Sequence, residues 1–133
     1  MTERRRLGRS DLFVTPIGLG CRRLASAKDP IGLVRRAVEL GIKFIDAAEV
    51  YVKSEELLGE ALQGLRDRVV LATKGGVRVE GGAVVQDLRP ESVRRSIKES
   101  LKRLMTDYID LYQIHYPDPT VHPRETAEAL RNS

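Results

Sequence analysis

Cysteine is almost missing from these 133 residues, with Cys21 standing alone. A single cysteine excludes an internal disulfide framework and fits a reducing cytoplasm, which is the expected compartment. Histidine is nearly as scarce. His115 and His122 are the only two, and neither falls at a metal-ligand spacing from Cys21, so no metal site is expected. Tryptophan is absent and aromatics make up 5% of the chain, too few for the stacking platforms of a single-strand nucleic-acid groove. No apolar run approaches the roughly 20 residues needed to span a bilayer. The basic start, Met1 to Arg6, is not followed by the apolar core of a secretory signal, so none is expected. Neither a membrane nor a nucleic acid is therefore an expected partner.

What is present describes a folded chain. Hydrophobic residues make up 41% and charged residues 32%, which is too apolar for disorder and suits one globular domain. The net charge of +4 is spread over pairs such as Arg22-Arg23, Arg35-Arg36 and Arg94-Arg95 at element edges. Arginines placed so are read as solvated rather than as a phosphate-binding face.

Short β-like runs alternate with amphipathic helices. A Gly/Ser/Asp turn between Arg5 and Thr15 predicts a hairpin, and Pro16 to Gly20 predicts a short buried strand. Asp29-Pro30 opens a helix, Asp as N-cap and Pro at the first position. Its inner face carries Ile31, Val34, Ala37, Val38 and Leu40, and Gly41 closes it. Lys43 to Asp46 reads as a strand. Ser54 then caps a helix lined by Leu57, Leu58, Ala61 and Leu62, with Glu55 and Glu56 complementing its positive end. Arg68 to Lys74 is a β-rich run. Residues 75–89, with four glycines, form a long loop with room for a hairpin. Pro90 starts a helix whose apolar face holds Val93, Ile97, Leu101 and Leu104. Tyr108 to His115 is a fourth strand, and a last helix begins at Arg124.

Repeated strand–helix units imply parallel strands joined by right-handed crossovers. An open doubly wound sheet satisfies that period. So does half of an eight-stranded barrel, which typically needs roughly 250 residues. The strand ends point to the barrel: Asp46 closes one strand with Tyr51 in the loop beyond, Lys74 closes the next, and His115 the last. In a parallel barrel these positions converge on the C-terminal face, where barrel enzymes carry their catalytic groups.

The set also makes chemical sense. A tyrosine hydroxyl is a weak acid, with a free pKa of about 10, and a neighbouring ammonium favours its ionised form. Tyr51 beside Lys74 can then give a proton to a carbonyl oxygen, with Asp46 holding Lys74 and His115 orienting the same oxygen. A hydride for the carbonyl carbon must come from a cofactor, since no side chain supplies one. Taken singly, each residue has a structural alternative: Asp46 a loop acid, Tyr51 a half-buried aromatic, Lys74 a surface charge, His115 a satisfied strand histidine. Cys21 reads as a packing residue, because no base accompanies it.

Several stretches resemble the aldo-keto reductase family. They are Arg5 to Ser10 with Pro16 to Gly20, the run from Gly41 to Leu62 containing Asp46-Ala-Ala-Glu-Val-Tyr51, Val69 to Gly76, and Leu101 to Asp118. The resemblance covers essentially the whole chain in the family's order and spacing. It implies an α/β fold, a partial (β/α)8 TIM barrel made of an N-terminal hairpin and about four βα units. It also implies that residues 1–133 form the N-terminal half of the reductase domain, truncated in the fourth helix. The family's catalytic positions fall on Asp46, Tyr51, Lys74 and His115. Gly20, Cys21, Arg22 and Asp46 fall on the nicotinamide side of an NADP (NADPH) site whose adenine and phosphate contacts lie mainly in the second half. Ala47 and Val52 stand where the family more often has Thr and Gly.

Two functions follow from the resemblance. One is NAD(P)H-dependent reduction of a small aldehyde or ketone, with a second copy or a complementary half-barrel completing the fold. The other is a truncated or split fragment that lacks the cofactor site, inactive alone or acting as an interaction module. Four strands of an unclosed barrel leave two edges and an apolar interior, a liability for self-association.

Overall fold

A computed structural model describes residues 3–133. Strands β1 (Arg5–Arg6) and β2 (Phe13–Val14) pair antiparallel as the expected hairpin. Four strands then form one parallel sheet in the order β3 (Leu19–Gly20), β4 (Phe44–Asp46), β5 (Val70–Gly75) and β8 (Leu111–Ile114). Between β5 and β8 a second hairpin, β6 (Val77–Glu80) with β7 (Ala83–Gln86), occupies the glycine-rich segment.

The crossovers are α1 (Pro30–Glu39) between β3 and β4, α2 (Ser54–Ala61) between β4 and β5, and α3 (Pro90–Arg103) between the second hairpin and β8. A fourth helix, α4 (Pro123–Arg131), follows β8 and packs against α3. This is the (β/α) architecture of a partial TIM barrel. Each strand lies beside the next one in the chain apart from the inserted hairpin, so the sheet grows in one direction as a barrel does and does not reverse as a doubly wound sheet does.

Strand pleating decides which residues face which layer. The outward set of Leu19, Ile45 and Leu71 packs under α1 and α2 with Val34, Val38, Leu58, Ala61 and Leu62 in the main core. The opposite set, Gly20, Asp46, Ala72, Lys74 and Gln113, lines the inside of the curl. Helix α1 forms where its sequence signals place it: the Asp29 side chain accepts from the Gly32 amide at 2.9 Å, a cap worth about 1 kcal/mol. Gly41 closes it with φ of 89°. At Gly59 the α2 and α3 backbones come so close that a Cβ would lie 2.6 Å from the Arg103 carbonyl oxygen.

Four local expectations are corrected. The strand at Pro16 to Gly20 is not buried: only Leu19–Gly20 pair, and Ile17 is 61% exposed on an edge of the sheet. Leu40 does not join the inner face of α1, because it is the C-cap and is exposed. Ser54 is not the N-cap of α2. Lys53 takes that place in the left-handed region, at φ 54°, and the Ser54 hydroxyl instead donates to the Cys21 carbonyl at 2.5 Å. Glu55 does not sit at a solvated helix end either. It is 1% exposed, accepts from Thr73 Oγ1 at 2.6 Å and Arg103 Nε at 2.7 Å, and so ties β5, α2 and α3 together.

Candidate active site

The C-terminal ends of β4, β5 and β8 gather the four expected side chains. Lys74 Nζ stands 2.6 Å from each oxygen of the Asp46 carboxylate and donates to the Ala47 carbonyl at 2.9 Å. With three acceptors around it, the ammonium is pinned against the inside of the sheet. Backbone pairing continues past β4, from the Ala47 amide to the Ala72 carbonyl and from the Glu49 amide to the Lys74 carbonyl, both at 2.9 Å. That continuation carries the chain over the strand ends before it turns back at Tyr51, whose amide bonds the Ala48 carbonyl.

Tyr51 is thereby brought over the ion pair, its ring centroid 5.7 Å from Lys74 Nζ. Across the mouth the His115 ring meets it edge-on, with centroids 5.8 Å apart and planes at 87°. His115 is fixed from two sides. Its amide donates to the Gly75 carbonyl at 3.0 Å, and its ring stacks on Tyr116 at 4.9 Å. Burial and then the Lys74 charge push the His115 imidazole below its ordinary value; Asp46 opposes this and Arg22 adds to it. A neutral imidazole is therefore the form present near pH 7. Its Nδ1 is buried without a hydrogen-bond partner among the described residues.

Of the residues expected on the cofactor side, Gly20 pairs with Asp46 across the sheet and has open space where a Cβ would project. Cys21 turns the other way. Its side chain lies in the main core, 1% exposed, and burial pushes the thiol up to about 12. Only its backbone reaches the mouth, the amide donating to the Asp46 carbonyl at 2.8 Å. Arg22, next along, is exposed. His122 stands apart as the N-cap of α4, its Nδ1 accepting from the Arg124 amide. No group of three or more His, Cys, Asp or Glu suited to a metal ion occurs among the described residues. No helix among them is long and apolar enough to cross a membrane.

The Aldo/keto reductase family profile matches residues 16–132. The chain belongs to the aldo/keto reductase family. Among curated relatives, an uncharacterized oxidoreductase of Bacillus subtilis is 40% identical over 96% of this chain and 44% of its own length. The 6-dehydroglucose reductase of Novosphingobium aromaticivorans is also 40% identical, over 95% and 45%. Among solved structures, the holo form of an aldo-keto reductase from Bacillus halodurans superposes with a TM-score of 0.87 at 38% identity, covering 98% of this chain and 45% of that one. The chain thus spans somewhat under half the length of these relatives.

Two residues of this aldo/keto reductase site were not singled out from the sequence. Gln113 is the register partner of Lys74 and places Nε2 3.4 Å from Asp46 Oδ1. The available signal was its spacing, two residues before His115 on the same strand. Glu49 accepts from the Gly76 and Val77 amides at 2.9 and 3.2 Å, tying the Tyr51 loop to the start of the second hairpin. Gly76 sits there at φ 91°, where a side chain would be strained.

Proposed function

We propose that this site reduces the carbonyl of an aldehyde or ketone, with Tyr51 giving the proton and NADPH as the hydride donor. The observation that carries this reading is the Asp46–Lys74 pair lying under the Tyr51 ring with His115 across from it. A bound nicotinamide would supply the hydride to the carbonyl carbon. Tyr51 passes its hydroxyl proton to the carbonyl oxygen, and the Lys74 ammonium stabilises the charge left on the phenolic oxygen. Asp46 keeps that ammonium in place. His115, neutral and stacked, orients the carbonyl oxygen toward Tyr51. The residues present suit the nicotinamide end of such a cofactor. Gly20 leaves open space beside Asp46, so Gly20, Arg22 and Asp46 would hold the ring, with Cys21 contributing backbone alone.

NADPH titration followed by fluorescence, and carbonyl-dependent loss of its absorbance, test this reading. Tyr51→Phe is expected to leave cofactor binding intact and to lower turnover by about 10²- to 10⁴-fold. Unchanged turnover in that variant would show the proton donor to be another group. A second reading has its own observation. The sheet ends in two unpaired edge strands, β3 and β8, and the chain spans 44% and 45% of its curated relatives. On that reading these 133 residues retain the proton-transfer groups but turn nothing over alone, and no quenching at millimolar NADPH would decide for it.

A further inference from the structure

We infer that Arg22 is an anion-binding subsite beside the carbonyl site, so that the substrate class is a carbonyl compound bearing a carboxylate. This rests on the reductase reading of the same mouth. The backbone before Arg22 is tied down on both sides. The Cys21 amide donates to the Asp46 carbonyl at 2.8 Å, and the Cys21 carbonyl accepts from Ser54 Oγ at 2.5 Å. With the Cys21 side chain sunk in the core, Arg22 follows at the lip of the site and is exposed. Its charge acts on His115, so the guanidinium belongs to the same field as the catalytic groups.

Charge bookkeeping around the mouth leaves Arg22 unneutralised. The Asp46 carboxylate is occupied by Lys74. The Glu49 carboxylate is occupied by the Gly76 and Val77 amides. No carboxylate among the described residues lies within ion-pair distance of Arg22, whereas Arg66, Arg78, Arg89 and Arg103 each have one. A guanidinium left free beside a reacting centre presents a fork suited to a carboxylate. A diphosphate would be drawn by the same chemistry, so the probes must separate the two.

The full chain is titrated with levulinate, with methyl levulinate and with inorganic pyrophosphate, following the His115 and Tyr51 ring resonances without cofactor or turnover. Levulinate should bind roughly tenfold or more tightly than its ester, the scale of a charge-assisted contact. That preference should fall as salt is added. Arg22→Gln should abolish it and Arg22→Lys should retain part of it. Equal binding of acid and ester, or an acid preference that survives Arg22→Gln, overturns the assignment. Arg22-dependent binding of pyrophosphate without levulinate overturns it too, by assigning the subsite to a diphosphate. Because nothing here depends on NADPH, failure of this test and failure of the reductase reading are separate results.

Discussion

Two cation–carboxylate pairs sit at opposite ends of the sheet, and they are built for different ends. At the N-terminal side of β5 and β8, the Arg66 Nη2 meets Asp110 Oδ2 at 2.9 Å and also donates to the Tyr108 carbonyl. The same guanidinium reaches Thr106 Oγ1 and the Val69 carbonyl and lies 3.8 Å over the Tyr108 ring. Asp110 Oδ2 accepts in addition from the Leu71 amide at 2.8 Å. Both side chains are about 15% exposed and every strong donor has a protein acceptor. This end is saturated, and it clamps β8 to β5.

The pair at the C-terminal side is left open. Lys74 is 17% exposed but Asp46 is 36% exposed, and Tyr51, the His115 imidazole and Arg22 surround it with hydrogen-bonding capacity that the protein does not use up. A charge network completed by the protein contributes to stability; one left incomplete can act on a ligand. Substitution separates the two roles. Lys74→Met should lower carbonyl-reducing turnover by about a hundredfold or more, the scale of losing a preorganised electrostatic group. The urea midpoint should barely move, because the carboxylate it strands is partly solvated. A large loss of stability in this variant would make the upper pair a structural one.

Asp110→Ala should do the reverse. It strands a mostly buried guanidinium and removes the cap on the Leu71 amide, a loss of about 3 kcal/mol by the usual cost of breaking such a pair. The denaturant midpoint should fall, with the Lys74–Asp46 geometry retained in whatever fraction stays folded. If Asp110→Ala proves as stable as the parent, the clamp reading of this end is wrong.

That contrast also separates what the sequence made legible from what it hid. Asp46, Tyr51, Lys74 and His115 were visible because each couples a reactive side chain to the end of a strand, a relation that is local in the chain. The α1 boundaries were visible for the same reason, through Asp29, Pro30 and Gly41. Misread residues have partners far away in sequence. Ser54 resembles a cap until its hydroxyl finds Cys21, 33 positions back. Glu55 resembles a helix-end acid until Arg103 covers it, 48 positions on. Arg66 and Asp110 are 44 residues apart and carry no motif that foretells their meeting. Pattern reading finds the mouth because its chemistry is periodic with the strands, and misses the clamp because packing alone assembles it.

The smallest effect is the most direct probe of the upper end. Burial, then the Lys74 charge, holds the His115 pKa below its ordinary value. The folded protein therefore binds this proton less readily than the unfolded chain does. Stability associated with neutral His115 is fully present above the ordinary histidine range and declines as pH falls through it, because the unfolded state takes up the proton first. Lys74→Met removes a repelling cation and frees Asp46 to attract the imidazolium, so both changes move the His115 pKa upward. Burial remains, so the return toward the ordinary value should be partial. Proton NMR of the His115 ring across the acid range reads this in the folded protein, and Asp110→Ala serves as the control at the far end. A His115 titration that does not move in Lys74→Met would mean that the two groups are electrostatically separate, and that the mouth is not one coupled site.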